Sequence, residues 1–238
     1  MMVNTQAIVL ARIKYNDTDA VVKTYTAHTG FTVFFVRNFF KGRQARLKKA
    51  LYQPNALLEL TFDFKNKGQL EHIKEARIQY HYKNINRDFD KLNISSFLRE
   101  ILLESLKNEQ IDPDLFQYIF SQFVALDQSD FQPDFHLIFL LKLTRYLGFF
   151  PDLQTKGLYF DLFNARFTDQ IPLHPYLNSE EAFLFKSFSG MIFATEKEKK
   201  INRKERKLLI DILLRYYQQH LPQFKIPKSV KILNQIYE

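Results

Sequence analysis

The chain has 238 residues, of which 46% are hydrophobic and 25% charged, so it can bury a substantial core and is not a disordered tail. Its formal net charge of +8 favours a polyanionic partner, either nucleic acid or an anionic membrane. It contains no cysteine, which excludes disulfides, thiolate zinc sites and cysteine nucleophiles and fits a reducing cytoplasm.

The sequence offers no signal for export or membrane insertion. Residues 1–17 lack a long apolar stretch preceded by a cationic segment, so we expect no secretory signal. The most apolar run, residues 135–150, is interrupted by Lys142 and Arg145 and is shorter than the roughly 20 residues of a membrane span. We therefore expect a buried helix there, no membrane partner and a cytoplasmic protein.

Five β-strands are predicted in the first 80 residues, where Val, Ile, Thr, Phe and Tyr are frequent. In the third strand Phe31 and Phe35 share one face and Phe34 lies on the other, and the pattern leaves open which face is buried. Five short strands in this length suit a small closed barrel such as the OB-fold, which often binds single-stranded nucleic acid. The predicted strands cover residues 4–14, 19–28, 30–38, 55–64 and 68–79.

After about residue 80 the hydrophobic pattern becomes helical. Asp112 followed by Pro113 predicts the start of one helix, and a further helix is predicted between Asp134 and Gly148. Asn178 or Ser179 is expected to cap the next one. A basic segment then leads into a helix that ends near residue 220, and a last short helix follows residue 227. The predicted fold is therefore α+β, with an OB-fold domain at residues 1–80 and a helical domain at 81–238 that contains an irregular connector near 152–177.

The charge is concentrated near the N-terminus. Residues 12–49 contain nine Lys or Arg and two Asp, a net of +7 out of +8 for the whole chain, and no acidic residue lies between Ala20 and Leu58. Aromatic residues alternate with these cations, and this mixture is typical of a surface that binds single-stranded nucleic acid through phosphates and stacked bases.

The loop that begins at Phe39 and ends at Lys49 is the strongest candidate for this surface. Phenylalanines within the strands are expected to be partly core, whereas the loop cations have no acidic neighbours in sequence, so their mutual repulsion calls for an external anion or a distant carboxylate. Either Phe39 or Phe40 is expected to stack on bases. The predicted nucleic-acid-binding residues are Arg37, Phe39, Phe40, Lys41, Arg43, Arg46, Lys48 and Lys49.

Two further basic groups leave alternatives open. Lys142, Arg145 and Tyr146 could receive the apolar, carboxylate-ending tail of a partner protein, or they could be exposed side chains of a core helix. A second cluster is diluted by glutamates, so contact with DNA and a solvated helix face are equally good interpretations. This cluster comprises Lys197, Lys199, Lys200, Arg203, Lys204, Arg206 and Lys207.

Motifs for catalysis are missing from the sequence. There is no Walker A lysine, GxGxxG, GxSxG or HExxH, and no two histidines are four residues apart. Asp17 and Asp19 flank a predicted turn and are better explained by turn formation than by acid–base chemistry. We therefore expect neither enzymatic activity nor a cofactor or metal, and a nuclease is disfavoured because no carboxylate cluster is evident.

Short segments along the chain occur in a particular order. They are residues 5–10, 15–19, Thr26 with Gly30, 51–54, 57–60 and 70–75 in the first part, and 146–151 in the second. In their order and spacing, these segments resemble the pattern of the RecO family of bacterial DNA repair proteins. Most of the matching segments lie in the first 80 residues. The family's usual glycine after the third-strand cation is replaced here by Asn38.

The resemblance implies an N-terminal OB-fold that binds single- and double-stranded DNA, a helical C-terminal domain and a location at the nucleoid. It implies a non-catalytic recombination mediator that anneals strands and helps RecA load on strands coated by single-strand-binding protein (SSB), working with RecR and the SSB C-terminal tail. Many members carry a four-cysteine zinc module near residues 155–190, which this chain cannot form. The alternative is a helical module that recruits a repair partner and contacts nucleic acid only incidentally.

Overall fold

The structure, a computed structural model, describes residues 1–65, 70–107, 111–193 and 201–236. An antiparallel five-stranded sheet is followed by helices, and the chain divides into two compact units, Met1–Phe131 and Gln132–Glu238. The first unit includes two helices beyond the barrel. The predicted domain boundary near residue 80 stays a prediction.

The strands of the first unit form the expected OB-fold barrel, which confirms the predicted α+β class. The sheet order is β3-β2-β1-β4-β5, and the barrel closes where β3 pairs with Glu71 just before β5. The N–H of Phe35 donates to the Glu71 carbonyl at 2.9 Å, and the N–H of Glu71 donates to the Val33 carbonyl at 2.9 Å. The strands are β1 (Met2–Lys14), β2 (Ala20–Thr26), β3 (Gly30–Val36), β4 (Leu57–Asp63) and β5 (Ile73–Tyr80).

The inner face of β3 carries Phe34, which settles the alternative left open by the sequence. Phe34 is wholly buried, and its ring meets that of Phe62 from β4 edge to face at 4.8 Å. Phe31 and Phe35 point the other way and are only half-buried. Because side chains alternate along a strand, fixing Phe34 in the core turns Phe35 to the outer surface of the barrel.

The described residues of the first unit also form the helices α1 (Ala45–Leu51), α2 (Phe89–Ser105) and α3 (Pro113–Gln128). The predicted start of α3 is confirmed, since the Asp112 carboxylate accepts the N–H groups of Asp114 and Leu115. Arg99 of α2 donates to the Leu10 carbonyl of β1 at 2.9 Å. The first unit therefore contains a barrel against which helices of the following segment pack.

A buried carboxylate organises the segment between the barrel and α2. Asp127, at the end of α3, is wholly buried and accepts the N–H groups of Lys83, Asn84 and Ile85 at 2.8–3.1 Å. It also accepts the hydroxyl of Tyr80 at 2.9 Å. Burial would raise the pKa of Asp127, but these donors together outweigh it and hold the pKa below its usual value.

The structure of the second unit shows that one prediction was wrong. Residues 152–177, expected to be an irregular connector, contain a three-stranded sheet in the order β7-β6-β8. Its strands have only two or three residues, too few to show an alternating pattern, and Phe160 holds them by packing on Phe167 and Phe185 at 4.8 and 5.0 Å. The elements are β6 (Tyr159–Asp161), β7 (Arg166–Thr168), β8 (Tyr176–Leu177), α4 (Phe135–Tyr146), α5 (Ser179–Phe193), α6 (Arg203–His220) and α7 (Val230–Ile236).

Neither a membrane-spanning helix nor a cluster of metal ligands is found among the described residues. None of their helices has both the length and the apolar character that crossing a membrane requires. Within the same residues, no three side chains of His, Cys, Asp or Glu come together in a group that could hold a metal ion.

Candidate nucleic-acid interface

The basic loop starts from a turn that the neighbouring hairpin holds in place. Asn38, the first residue after Arg37, has a φ of 50°, a left-handed conformation that Asn tolerates better than most residues. Its N–H donates to the Asp19 carboxylate at 2.8 Å, and the N–H of Phe40 donates to the Thr18 carbonyl at 2.9 Å. Hydrogen bonds from the Asn16 side chain and from the Asn38 N–H hold the pKa of Asp19 below its usual value. The path of the loop is therefore fixed by the β1–β2 hairpin.

The two loop phenylalanines anchor the loop to the barrel. Phe39 is wholly buried, with its ring centroid 4.9 Å from that of Phe40 and 6.4 Å from that of Tyr52. The Arg12 guanidinium lies 5.2 Å from the Phe39 ring, and the Lys49 ammonium lies 5.7 Å from the Phe40 ring. Of the two rings predicted to stack on bases, Phe39 lies inside the core and cannot reach a base, so the prediction rests on Phe40. Phe40 is half-buried beneath a cation.

The six predicted cations lie around this anchor and face solvent, except that Lys48 is half-buried. Lys48 donates to the Arg37 carbonyl at 2.7 Å, which ties α1 to the start of the loop. Lys48 and Lys49 occupy the last turn of α1, where backbone carbonyls favour positive charge. Within the described part of the chain, none of the six forms a salt bridge with a carboxylate. The charge of Arg37 contributes to the lowered pKa of Asp19, and the other five cations lie at the surface without a direct ion pair to a described carboxylate. The cations are Arg37, Lys41, Arg43, Arg46, Lys48 and Lys49.

A groove of about 600 Å³ runs between the end of β3, α1 and the start of β5. Arg37, Lys48 and Lys74 contribute positive charge to its walls, and none of the described residues that line it is a carboxylate. Lys74 is paired with Asp63 at 2.6 Å, whereas Arg37 and Lys48 form no direct ion pair with a described carboxylate. The groove gives the basic surface a concave part that can follow a polyanion.

Two groove residues, Phe35 and His72, were not among the residues predicted to bind nucleic acid. Strand alternation placed Phe35 on one of two faces without saying which one was exposed. His72 comes to the groove only because the barrel closes at Glu71, and this pairing has no sequence signal.

The other predicted site lies on α4. Lys142, Arg145 and Tyr146 are three and four residues apart, so they share one side of the helix. Tyr146 is 37% exposed and Lys142 is half-buried, while the Arg145 guanidinium lies 4.4 Å from the Phe150 ring. The three side chains are accessible, as a partner-binding surface requires.

The second basic cluster separates into distinct parts. Arg206 is buried and donates to the Asp134 carboxylate at 2.7 Å, so it stabilises the second unit and is not part of an open surface. Lys204 and Lys207 are exposed, as is Arg203. The remaining predicted members, Lys197, Lys199 and Lys200, lie outside the described residues.

Comparison with known proteins covers the whole chain. The family model described as Recombination protein O N terminal matches residues 1–82, and the model Recombination protein O C terminal matches residues 86–229. Proteins named DNA repair protein RecO are similar over their full length and that of this chain. They include those of Christiangramia forsetii at 33% identity, Flavobacterium psychrophilum at 35% and Bacteroides fragilis at 35%.

Proposed function

Because this chain belongs to the RecO family of DNA repair proteins, we propose that its barrel binds DNA through the basic loop and that it acts as a non-catalytic recombination mediator. In this role the protein anneals complementary strands and assists RecA loading on strands covered by SSB, together with RecR. We propose residues 1–80 as the DNA-binding domain and 81–238 as the helical domain, in a protein that works in the cytoplasm at the nucleoid.

The observation that supports this proposal is a set of six cations, Arg37 and the five of the basic loop, none of which forms a salt bridge with a carboxylate among the described residues. Their charge is held at one place, because Phe39 and Tyr52 fix the loop to the barrel core. A DNA strand brings a row of phosphates, each of which releases bound counterions when a Lys or Arg neutralises it. Binding is therefore expected to tolerate any sequence and to weaken steeply with salt.

Annealing follows from the same surface. Two complementary strands repel one another through their phosphates, and a dense cationic loop lowers this repulsion when both strands lie on it. No step of this process needs nucleotide hydrolysis. We therefore expect bimolecular annealing without ATP, and a requirement for ATP would contradict the proposal.

The decisive experiment reverses three exposed loop cations in one variant, Lys41→Glu, Arg43→Glu and Arg46→Glu. We expect loss of single-strand binding in a fluorescent oligonucleotide titration, with an unchanged far-UV circular dichroism spectrum. A matched control reverses three exposed cations of the second unit, Lys225, Lys228 and Lys231.

Each of the three reversals lowers the net charge by two, so both variants go from +8 to +2. Only the loop variant should lose DNA binding if the location of the charge matters. Undiminished DNA affinity in the loop variant would refute the basic loop as the DNA-binding site. Equal losses of affinity in both variants would show that net charge alone accounts for binding.

A second candidate function is recruitment of a partner through α4. The observation in its favour is that two cations and a partly exposed tyrosine, Lys142, Arg145 and Tyr146, share one side of a largely apolar helix. We propose that this side receives the SSB tail, whose end is apolar and carries a carboxylate. If recruitment is the main role, the protein binds this peptide tightly and bare DNA weakly. A pull-down with the peptide, compared with the oligonucleotide titration, distinguishes the two functions.

A further inference from the structure

Three aromatic rings meet on the outer surface of the barrel beside the basic loop. The ring of Tyr15, in the β1–β2 hairpin, contacts that of Phe35 at 5.2 Å with an interplanar angle of 89°. His72 contacts Phe35 at 5.9 Å and 84°. These three residues, which we call the ring cluster, come from three separate parts of the chain, and closure of the barrel at Glu71 brings His72 to the other two.

The rings are accessible. Tyr15 is 63% exposed, and His72 is also exposed. In an edge-to-face pair at most one face of each ring is covered by the other ring, so Tyr15 keeps an open face. Phe35 is half-buried and supports the two outer rings.

The residues around the ring cluster indicate which kind of ligand it could bind. Phe35 and His72 line the groove that also contains Arg37 and Lys48, so aromatic faces and phosphate-binding cations lie along one surface. Flat rings beside cations are suited to a strand whose bases are free to leave the stack. Bases in a duplex are stacked on one another and cannot offer their faces.

We propose that the ring cluster of Tyr15, Phe35 and His72 is a stacking platform for unpaired bases of single-stranded DNA. This inference rests on the proposed function, because the loop cations must bring the strand to the barrel. It assigns two different tasks: the loop cations bind phosphates of single strands and duplexes alike, and the ring cluster distinguishes the single strand. It also adds to Phe40 as a source of stacking, since Phe39, the other predicted ring, is buried.

The experiment uses tryptophan fluorescence, since the chain contains no tryptophan and Tyr15→Trp introduces a single reporter. The variant is titrated with a single-stranded oligonucleotide, with an oligomer of the same length in which all bases are replaced by abasic sites, and with a duplex. We expect quenching by the single strand and little change with the abasic oligomer or the duplex, although anisotropy shows that all three bind. Equal quenching by the abasic oligomer, or none by a bound single strand, would overturn the proposal.

A second measurement uses Tyr15→Ala, with Tyr15→Phe to restore the ring. Loss of one stacked base should weaken single-strand binding about tenfold in the alanine variant and leave affinity for the abasic oligomer unchanged. Phe183→Ala, which removes a 70% exposed ring from α5 of the second unit, is the matched control and should have no effect.

The outcomes separate this inference from the proposed function. If the loop reversal abolishes binding but Tyr15→Ala has no effect, the DNA-binding loop stands and the stacking platform is refuted. If Tyr15→Ala weakens binding to the abasic oligomer as much as to the normal strand, the contribution of the Tyr15 ring does not depend on bases. The stacking platform is then also refuted. Failure of the wild-type protein to bind any of the three oligomers would refute both.

Discussion

The salt dependence of DNA binding should show how many of the predicted cations contact phosphates. Six cations face the proposed DNA surface, and each phosphate that is neutralised on a single strand contributes about 0.7 to the slope of log K against log salt. Six contacts therefore give a slope of about −4, which corresponds to a roughly 300-fold loss of affinity between 50 and 200 mM salt.

Removing one cation should change this slope by a countable amount. Arg43 is the clearest position, because its side chain is exposed and forms no hydrogen bond or ion pair with any other residue the structure describes. Arg43→Ala should reduce the slope from about −4 to about −3.5 and weaken binding more at low salt than at high salt. Lys48→Ala should have a larger effect, since Lys48 also donates to the Arg37 carbonyl and holds the start of the loop.

The assay is a fluorescence-anisotropy titration of a labelled oligonucleotide at five salt concentrations. Lys225→Ala is the control, because it removes the same charge from an exposed position in the second unit and should leave the slope unchanged. A wild-type slope near −1 would show that the six cations do not act together. An equal change of slope in the control would show that net charge, and not the loop, determines affinity.

Three other variants test separate parts of the molecule. Asp127→Asn should lower the free energy of unfolding at pH 7 by about 2–3 kcal/mol, because charge-assisted hydrogen bonds become neutral ones. Since its folded-state pKa is depressed, this stabilisation exists above the unfolded pKa of about 4 and is lost as the pH falls further, so urea unfolding should show a smaller difference between the two proteins at pH 3. Asn38→Ala should cost about 1 kcal/mol in thermal unfolding while Asn38→Gly does not, and equal losses would contradict the role of the left-handed turn. Lys142→Glu combined with Arg145→Glu should abolish binding of an acidic peptide with an apolar C-terminus but spare DNA binding, and unchanged peptide affinity would remove α4 as the site.

The barrel was predictable from the sequence because its strands are long enough to show alternation. In β4, Leu58, Leu60 and Phe62 are all buried, as their period of two indicates. In β3, both faces carry phenylalanine, so the pattern alone could not choose between Phe34 and Phe35. The choice depends on the pairing of β3 with β2 and with Glu71, which is a tertiary property.

The exposure of the charged residues at the site was predictable from the sequence, but the positions of its aromatic rings were not. Cations without acidic neighbours are costly to bury, so exposure of Lys41 and Arg43 followed from composition. The position of Phe39 did not follow, because a phenylalanine next to a basic loop can face solvent or the core, and here the barrel interior accommodates it. Tyr15 and His72 are 57 residues apart in sequence, and only the closed barrel brings them to one surface.

The division between cations and rings bears on how annealing could proceed. A strand held by its phosphates leaves its bases free to pair, whereas a strand held by its bases must release them before pairing. The proposed surface has six cations against three rings, of which Phe35 is half-buried. Most of the proposed contacts then remain compatible with a duplex, and only a few bases have to leave the ring cluster when the complementary strand arrives. Such a surface favours the single strand at first contact without preventing its conversion to a duplex.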